Sequence, residues 1–363
     1  MSVKGDGNTV KILTLTVAEM DERHSSIVKA KFRKNDEYYT LYEDIEKEIG
    51  RYLEWNPDLF KGRTILMPCD DPQRSQFVRF FAEHPEIGYK KIIASCIAEI
   101  TGIDSFFGED AESRKGKILE LANGNAKRNG AEALKHWRFL SGDGNFESQE
   151  VCRLKDEADF IITNPPFSLF RRFADWVFES GNRFAVIGSA YAVNNQAVFR
   201  QIREGRMWLG ASDWHGRMNF LLPDGSRTHI AAVWYTNIDH AKRHVPLELK
   251  TMQENLVETS DKAFRERGYR EYDNYDAVDV PRVSAIPSDY EGLMGVPVTF
   301  LSKYCPEQFE IAGFAVAGSA SEGCPYYRKG FKDHGGNPMM NGKSLFPRIL
   351  VRKRKMSAST VGG

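Results

Sequence analysis

Short apolar runs alternate with amphipathic stretches along the first two thirds of this 363-residue chain. The apolar runs are bounded by turn residues, which is typical of buried strands. We predict strands at 64–68, 90–97, 137–140, 158–163, 183–188, 207–210 and 229–235, with 116–124 as a further strand or helix. Apolar residues at helical spacing predict helices at 44–53, 75–82, 168–180 and 195–203.

This alternation favours an α/β fold, in which helices cover both faces of a mainly parallel sheet. Such a sheet binds ligands beyond the carboxyl ends of its strands, where the loops gather. We therefore expect ligand-binding turns after Met67 and Ile162. After about residue 245 the pattern weakens, and proline, glycine, tyrosine and charged residues become frequent. We interpret that part of the chain as a second, irregular region.

The composition is that of an ordinary globular protein, with 41% hydrophobic and 28% charged residues. No apolar run approaches the ~20 residues needed to span a bilayer. The N-terminus lacks the apolar core of a signal peptide. Five scattered cysteines without a C-x-x-C pair indicate neither a disulfide framework nor a tetrahedral zinc site. We expect a metal-free protein of the cytoplasm.

The charge balance argues against a purely electrostatic DNA binder. The chain has 50 basic and 50 acidic residues, whereas affinity for DNA comes largely from neutralising phosphates. Basic residues gathered on one face would still allow DNA binding. The basic runs at 240–244 and 348–355 are candidates for such a face, although most charged runs are solvated surface.

The segment from Ala158 to Phe167 carries the most specific chemistry. A predicted strand runs directly into Asn164-Pro165-Pro166-Phe167. Two prolines fix φ and remove two donors, so the chain leaves the strand as a rigid corner that offers carbonyl acceptors. The Asn164 amide oxygen adds an acceptor and Phe167 a stacking ring, which suits a flat substrate that donates N–H bonds. The alternative is a buried strand that ends at prolines, with Phe167 in the core.

Paired acids follow the predicted strand at 64–68. Asp70 and Asp71 can accept from an ammonium group or a ribose hydroxyl, and the alternative is a plain Asp-Pro turn. Ser75 is placed to cap the next helix.

Two weaker motifs complete the set. Asp143 lies between two glycines, which permit close approach of the backbone to a ligand, so it could accept from an adenine amine. Most strings of this kind are hairpin turns. Upstream, Tyr38, Tyr39 and Thr40 stand in a polar setting, where paired tyrosines stack on a ligand or pack against the sheet.

The order of these motifs resembles that of amino-methyltransferases that use S-adenosylmethionine, with cofactor motifs first and target recognition last. More closely, the chain resembles the EcoRI-type adenine-specific DNA methyltransferase family. The matching segments are 35–40, 69–77, 92–96, 142–148, 158–170, 208–210, 218–220, 286–290 and 292–300. The resemblance covers roughly residues 33–352, and several of its motifs are long enough to be specific.

The resemblance implies a Rossmann-like, mainly parallel sheet of the S-adenosylmethionine-dependent methyltransferase type. We interpret the weakly patterned residues 1–30 as an N-terminal extension and residues 356–363 as a frayed tail. Between them, the resemblance implies a catalytic domain at 31–245 and a target-recognition region at 246–355. The usual Gly-x-Gly turn after the first strand is replaced by Cys-Asp-Asp-Pro. Ser95-Cys96 stands where an acid is expected after the second strand, with Glu99 as the candidate substitute.

Carried over to this chain, the family's site puts the catalytic group in the Asn-Pro-Pro-Phe corner. Asn164 and the Pro165 carbonyl would accept from the adenine N6 amine, Pro166 would complete the corner, and Phe167 would stack on the base. The residues implied to hold S-adenosylmethionine are Tyr38, Tyr39, Thr40, Asp70, Asp71, Ser75 and Asp143.

The function implied is site-specific transfer of a methyl group to the N6 amine of an adenine flipped out of duplex DNA. Two alternatives stay open: a catalytically inactive DNA-binding relative, and a methyltransferase that acts on RNA or on a protein amide. The implied partner is double-stranded DNA, with a cognate restriction endonuclease acting on the same site without direct contact as a further candidate. We expect a monomer that does not engage a membrane.

Overall fold

The computed structural model describes residues 38–98, 114–213, 216–222, 224–316, 318, 324–328 and 336–354. The predicted extension at 1–30, the candidate acid Glu99 and the predicted frayed tail lie outside these residues. Within them, no helix has the length and apolar character needed to cross a membrane.

The regular structure of the described residues consists of seventeen strands and eight α-helices, joined in places by short 3-10 helices. The strands are β1 (Tyr39–Thr40), β2 (Thr64–Met67), β3 (Lys91–Cys96), β4 (Lys117–Ala122), β5 (Arg138–Phe139), β6 (Phe160–Thr163), β7 (Arg183–Ser189), β8 (Trp208–Leu209), β9 (Met218–Leu221), β10 (Arg227–Ile230), β11 (Ala232–Thr236), β12 (Val278–Asp279), β13 (Met294–Pro297), β14 (Phe309–Ala315), β15 (Met339–Met340), β16 (Lys343–Ser344) and β17 (Arg348–Lys353). The helices are α1 (Tyr42–Trp55), α2 (Gln76–Glu83), α3 (Asn123–Asn129), α4 (Gln149–Glu157), α5 (Phe170–Phe178), α6 (Gln196–Arg203), α7 (Met252–Glu258) and α8 (Lys262–Arg267).

The largest sheet among the described residues has eight strands in the order β5-β4-β3-β2-β6-β7-β11-β8. The neighbours β3, β2, β6 and β7 are parallel, whereas β4 and β11 run against them. The edge strand β5 runs against β4, and the edge strand β8 runs against β11, so both edge strands point the same way as the four central strands. Most strands of the sheet are therefore parallel in direction, and the predicted α/β sheet is confirmed. The chain adds β3 on one side of β2 and later β6 on the other, so the strand order reverses between β2 and β6. Ligands of such sheets bind at this reversal.

Apolar side chains cover both faces of this sheet. On one face, Ile65 of β2 packs in a core that includes Ile49 of α1 and Phe81 of α2. On the other face, Leu66 packs in a second core that includes Phe173 of α5. Neighbouring residues of β2 thus point to opposite sides, as strand geometry requires, and both sides are buried.

One predicted strand is two strands in the structure. The segment 229–235 divides at Ala231, whose carbonyl accepts from the backbone N–H of Ala190 at 2.8 Å. Before the break, β10 joins β1 and β9 in a small antiparallel sheet, and after it β11 joins the large sheet. Burial explains the division, because β10 has no fully buried position whereas every residue of β11 is buried. The ambiguous segment 116–124 is β4, which is antiparallel to β3.

The region after residue 245 contains a four-stranded sheet, in the order β12-β13-β17-β14, that the sequence pattern did not predict. It packs against the part of the chain that carries the large sheet, where the rings of Phe199 in α6 and Phe314 in β14 stack with centroids 4.7 Å apart. Its strand β17 lies between two partners, and Ile349, Leu350 and Val351 are fully buried. The basic run at 348–355 is therefore largely a core strand with basic ends, and its residue 355 lies outside the described residues.

The second basic run, at 240–244, is held within the protein. His244 contacts both Asp239 and Glu307 at 2.9 Å, and Asp239 also pairs with Arg243 at 3.2 Å. The Arg243 guanidinium lies 3.8 Å from the centroid of the Trp208 ring. The charges of Arg243 and His244 are thus paired with acids of the protein itself.

Candidate active site

A partly open cleft of about 1100 Å³, counting space open to solvent, lies where the strand order reverses. The described residues that line it are Tyr38, Tyr39, Thr40, Pro68, Cys69, Asp70, Asp71, Ser75, Gln76, Phe77, Cys96, Ile97, Gly144, Asn145, Phe146, Asn164, Pro165, Pro166 and Leu169. Most of the predicted site residues therefore share one cleft, and Asp143 and Phe167 lie outside its lining.

The side-chain amide of Asn164 is oriented by a distant segment of the chain. Its nitrogen donates to the backbone carbonyl of Tyr38 at 2.7 Å, across 126 residues of sequence. A carbonyl can only accept, so this bond fixes which end of the amide faces Tyr38. The other end, Oδ1, is buried and has no hydrogen-bond partner among the described residues. Asn164 lines the cleft, and its amide has a fixed orientation with an unsatisfied acceptor.

The Phe167 ring lies beside this corner, between two other aromatic rings. It stacks on Tyr38 with centroids 5.5 Å apart and meets Phe220 edge-on at 5.8 Å. The Leu169 N–H donates to the Pro166 carbonyl at 2.9 Å, so the chain turns at once into a 3-10 helix and then α5. Phe167 is half-buried and packs against the core that contains Ile65.

Asp70 has a buried carboxylate whose two oxygens are both bonded. The hydroxyl of Ser75 donates to one oxygen at 2.6 Å, and the hydroxyl of Thr163 donates to the other at 2.5 Å. Ser75 also caps α2, as predicted, by accepting from the backbone N–H groups of Phe77 and Val78. Burial raises the pKa of Asp70 to about 6, although both hydroxyl bonds act in the opposite direction.

Asp71, the second acid of the pair, is bonded to a lysine that the sequence did not single out. Its carboxylate lies 3.0 Å from Lys117 Nζ, and both side chains are mostly buried. Lys117 begins β4, whose antiparallel pairing beside β3 brings it to the carboxyl end of the sheet. A motif search could not find this cation, because it depends on the direction of β4.

The glycine next to Asp143 approaches the protein's own backbone. A Cβ on Gly144 would lie 2.2 Å from the carbonyl oxygen of Cys96, and its φ of +79° disfavours other residues. The Asp143 carboxylate accepts from the backbone N–H of Asn145 at 3.0 Å, within the same loop. The loop therefore seals the end of β3, and Gly144 and Asn145 rather than Asp143 line the cleft.

Residues 38–40 close the cleft through a short strand pairing. Tyr39 and Thr40 pair with Leu221 and Phe220 of β9. The hydroxyl oxygen of Thr40 is buried and has no hydrogen-bond partner among the described residues. Unpaired buried hydroxyls are rare, and a polar ligand in the cleft would satisfy this one. Residues 34–37 of the same motif lie outside the described residues.

The sequence missed several cleft residues next to its motifs, among them Phe77, Cys96 and Phe146. Each lies inside a segment that carries the family resemblance, but none was assigned a role, because none has a distinctive chemical group for this reaction. In the described part of the chain, no cluster of three or more His, Cys, Asp or Glu side chains could hold a metal ion.

Comparison with known proteins identifies the family. Residues 26–354 match the family model for adenine-specific methyltransferase EcoRI. The chain belongs to this family. It is 34% identical over 345 residues to the Type II methyltransferase M.EcoRI of Escherichia coli, covering 90% of this chain and 96% of that protein. It is 30% identical over 346 residues to the Type II methyltransferase M.MpnI of Mycoplasma pneumoniae, covering 90% and 98%.

Membership of the EcoRI family confirms the resemblance drawn from the motifs and makes the chain an adenine-specific DNA methyltransferase. A third relative, the Type II methyltransferase M.MgeORF184P of Mycoplasma genitalium, is 28% identical over 347 residues. Methyltransferases of this kind depend in general on S-adenosylmethionine. The family match covers both the cleft and the second sheet.

Proposed function

We propose that this enzyme moves a methyl group from S-adenosylmethionine to the N6 amine of an adenine flipped out of duplex DNA. The observation that carries the proposal is the orientation of the Asn164 amide. Its nitrogen is tied to Tyr38, and its buried oxygen has no partner among the described residues. A preset, unsatisfied acceptor in a cleft is what a substrate amine requires.

The two acceptors of the corner account for the reactivity of a weak nucleophile. The lone pair of an exocyclic amine is delocalised into the ring, so the amine resists attack on an electrophile. Asn164 Oδ1 and the Pro165 carbonyl would accept hydrogen bonds from the two N–H groups of the amine. These bonds would draw the amine towards tetrahedral geometry, which frees the lone pair. The two prolines and the bond to Tyr38 hold these acceptors in advance, so little reorganisation accompanies the reaction. No cysteine needs to act as a nucleophile.

The residues on the other side of the cleft fit a cofactor with ammonium, carboxylate and ribose groups. The loop from Pro68 to Ser75 brings the Asp71 carboxylate to the cleft, and Thr40 presents a buried hydroxyl without a partner among the described residues. Tyr38 and Tyr39 close the same side, and the loop of Asp143 borders it. S-adenosylmethionine, when bound, supplies the activated methyl group.

Duplex DNA hides the reacting amine, so the base has to leave the stack before it can reach the corner. The accessible part of Phe167, next to Tyr38 and Phe220, would stack on the extruded base. We assign catalysis to residues 31–245 and contact with the surrounding DNA sequence to residues 246–355. We expect the enzyme to act as a monomer in the cytoplasm, with a restriction endonuclease as a partner in function without direct contact.

Tritiated methyl transfer to duplex DNA, RNA and protein substrates tests the proposal. We expect label on duplex DNA, recovered as N6-methyladenine. Asn164→Ala should lower the rate by at least about 100-fold, the effect of removing one preorganised polar contact at a reacting group, while binding of S-adenosylmethionine persists. Asn182→Ala is the matched control, because Asn182 also donates to a backbone carbonyl, that of Ala158, away from the cleft.

Three outcomes would contradict the proposal. Label on RNA or protein in place of DNA would assign the enzyme another substrate. Tight DNA binding without S-adenosylmethionine binding would indicate an inactive relative. Full activity of Asn164→Ala would remove the role given to the amide.

A further inference from the structure

Asp70 lies where three parallel strands of the large sheet end. It follows β2, and its backbone N–H donates to the carbonyl of Ser95 near the end of β3 at 3.0 Å. Its carboxylate accepts from Thr163, the last residue of β6, at 2.5 Å. Asp70 is thus bonded to both neighbours of β2 at the reversal of strand order, to β3 through its backbone N–H and to β6 through its side chain.

The two hydroxyls that donate to the Asp70 carboxylate belong to different sides of the cleft. Ser75 ends the loop that we assign to the cofactor and caps α2. Thr163 is bonded covalently to Asn164, whose amide we assign to the substrate amine. One carboxylate therefore joins the cofactor loop to the catalytic corner through two short hydrogen bonds.

Burying the Asp70 carboxylate costs desolvation free energy, which points to a functional reason for keeping it. Asp70 is only 6% exposed, and among the described residues no lysine or arginine forms an ion pair with it. Lys117 pairs instead with the neighbouring Asp71. Burying a charge without a cation is unfavourable, and sequences tend to keep such features at functional sites. A neutral side chain would hold the loop at a lower cost in desolvation.

We propose that Asp70 is a positioning residue that couples the cofactor loop to the Asn164 corner, rather than a ligand of the cofactor. The inference rests on the proposed function, because it takes the corner to be the catalytic group. Both carboxylate oxygens already accept from protein hydroxyls, which favours an internal role. The carboxylate fixes Thr163, and Thr163 fixes the start of the corner.

Two nearly isosteric variants separate positioning from binding. Asp70→Asn removes one acceptor, and Thr163→Val removes the hydroxyl that Asp70 holds. Because a small misplacement at a reacting group can lower a rate by about 100-fold, we expect each variant to slow single-turnover transfer by roughly 10- to 100-fold at saturating cofactor. The dissociation constant for S-adenosylmethionine, measured by calorimetry, should change by less than about threefold. Because the two substitutions break the same hydrogen bond, between Thr163 and Asp70, the double variant should be no slower than the slower single variant.

Hydrogen exchange at residues 164–170 gives a readout that does not depend on activity. Both variants should exchange faster there than the unaltered protein, because the corner has lost its tether. The matched controls are Asp159→Asn and Thr236→Val. Asp159 accepts from the Thr64 N–H at 2.8 Å, and the buried Thr236 hydroxyl donates to the Phe184 carbonyl at 2.7 Å, so each control removes a comparable contact away from the cleft.

Unchanged exchange at 164–170 in both variants would overturn the inference whatever the substrate. A tenfold weaker cofactor affinity with an unchanged single-turnover rate would make Asp70 a cofactor ligand. Additive rate effects in the double variant would show that Asp70 and Thr163 act independently. Failure of the unaltered protein to methylate DNA would instead contradict the proposed function, while the exchange measurement would still test the coupling.

Discussion

The Asn164 side-chain nitrogen donates to the backbone carbonyl of Tyr38 at 2.7 Å, and this bond fixes the orientation of the amide. The two residues are 126 positions apart, so the bond joins the Asn-Pro-Pro-Phe corner to residues 38–40, which line the same cleft. The orientation of the amide therefore depends on residues 38–40 keeping their pairing with β9.

Replacing Asn164 by Asp should damage the enzyme although an acceptor remains. A carboxylate cannot donate to the Tyr38 carbonyl, and the two oxygens would repel each other, at a loss of about 1–3 kcal/mol. We expect methyl transfer to fall at least about tenfold, with cofactor affinity nearly unchanged. Asn182→Asp, which removes a similar donor to the Ala158 carbonyl, should lower the melting temperature but leave the rate unchanged. An equally active Asn164→Asp enzyme would show that the tether is dispensable.

The burial of Asp70 should make stability depend on pH. Its pKa is raised to about 6 in the folded protein, mainly by desolvation, against about 3.9 for an unfolded aspartate. A raised pKa contributes stability that is complete below about pH 4 and lost as the pH rises through about 6. The unfolding free energy of the unaltered protein relative to Asp70→Asn should therefore fall by about 3 kcal/mol between about pH 4 and pH 8. Urea unfolding of both proteins across this range measures the difference, and parallel curves would refute it.

Alanine at Gly144 should destabilise the protein far more than alanine at Gly142. At position 144 a Cβ would meet the Cys96 carbonyl oxygen at 2.2 Å, on a backbone with a φ of +79°. At position 142 the nearest atom is Oε2 of Glu150, at 3.8 Å. We expect a loss of roughly 2–5 kcal/mol for Gly144→Ala and less than about 1 kcal/mol for Gly142→Ala. Equal melting temperatures would contradict the close approach.

Removing the cap of α2 should cost more than removing the cap of α4. Ser148 caps α4 by accepting from the Val151 N–H at 3.2 Å, so Ser148→Ala should lose about 1 kcal/mol. Ser75 caps α2 and also donates to Asp70 at 2.6 Å. Ser75→Ala leaves a buried carboxylate oxygen without its donor, so we expect about 2–3 kcal/mol. Equal losses in denaturant unfolding would show that the bond to Asp70 contributes nothing to stability.

Much of the fold followed from patterns a few residues long. The helix at 75–82 begins one residue after its predicted cap, Ser75, and the predicted strands at 64–68 and 158–163 are β2 and β6. These elements depend on local periodicity and on turn chemistry, which the sequence displays directly. The prediction of a single strand at 229–235 was wrong, because the division at Ala231 depends on which sheet each half joins.

By itself, the sequence determined most of the strands and helices before residue 245, the rigid Asn-Pro-Pro-Phe corner and, through its motifs, the family. The tertiary structure decided which polar groups meet. Asn164 meets the Tyr38 carbonyl, Asp70 meets the Thr163 hydroxyl, and Asp71 pairs with Lys117. The physical reason is that such bonds join residues far apart in the chain. They exist only once β2, β3, β4 and β6 have taken their places and directions in the sheet, and no local pattern encodes those directions.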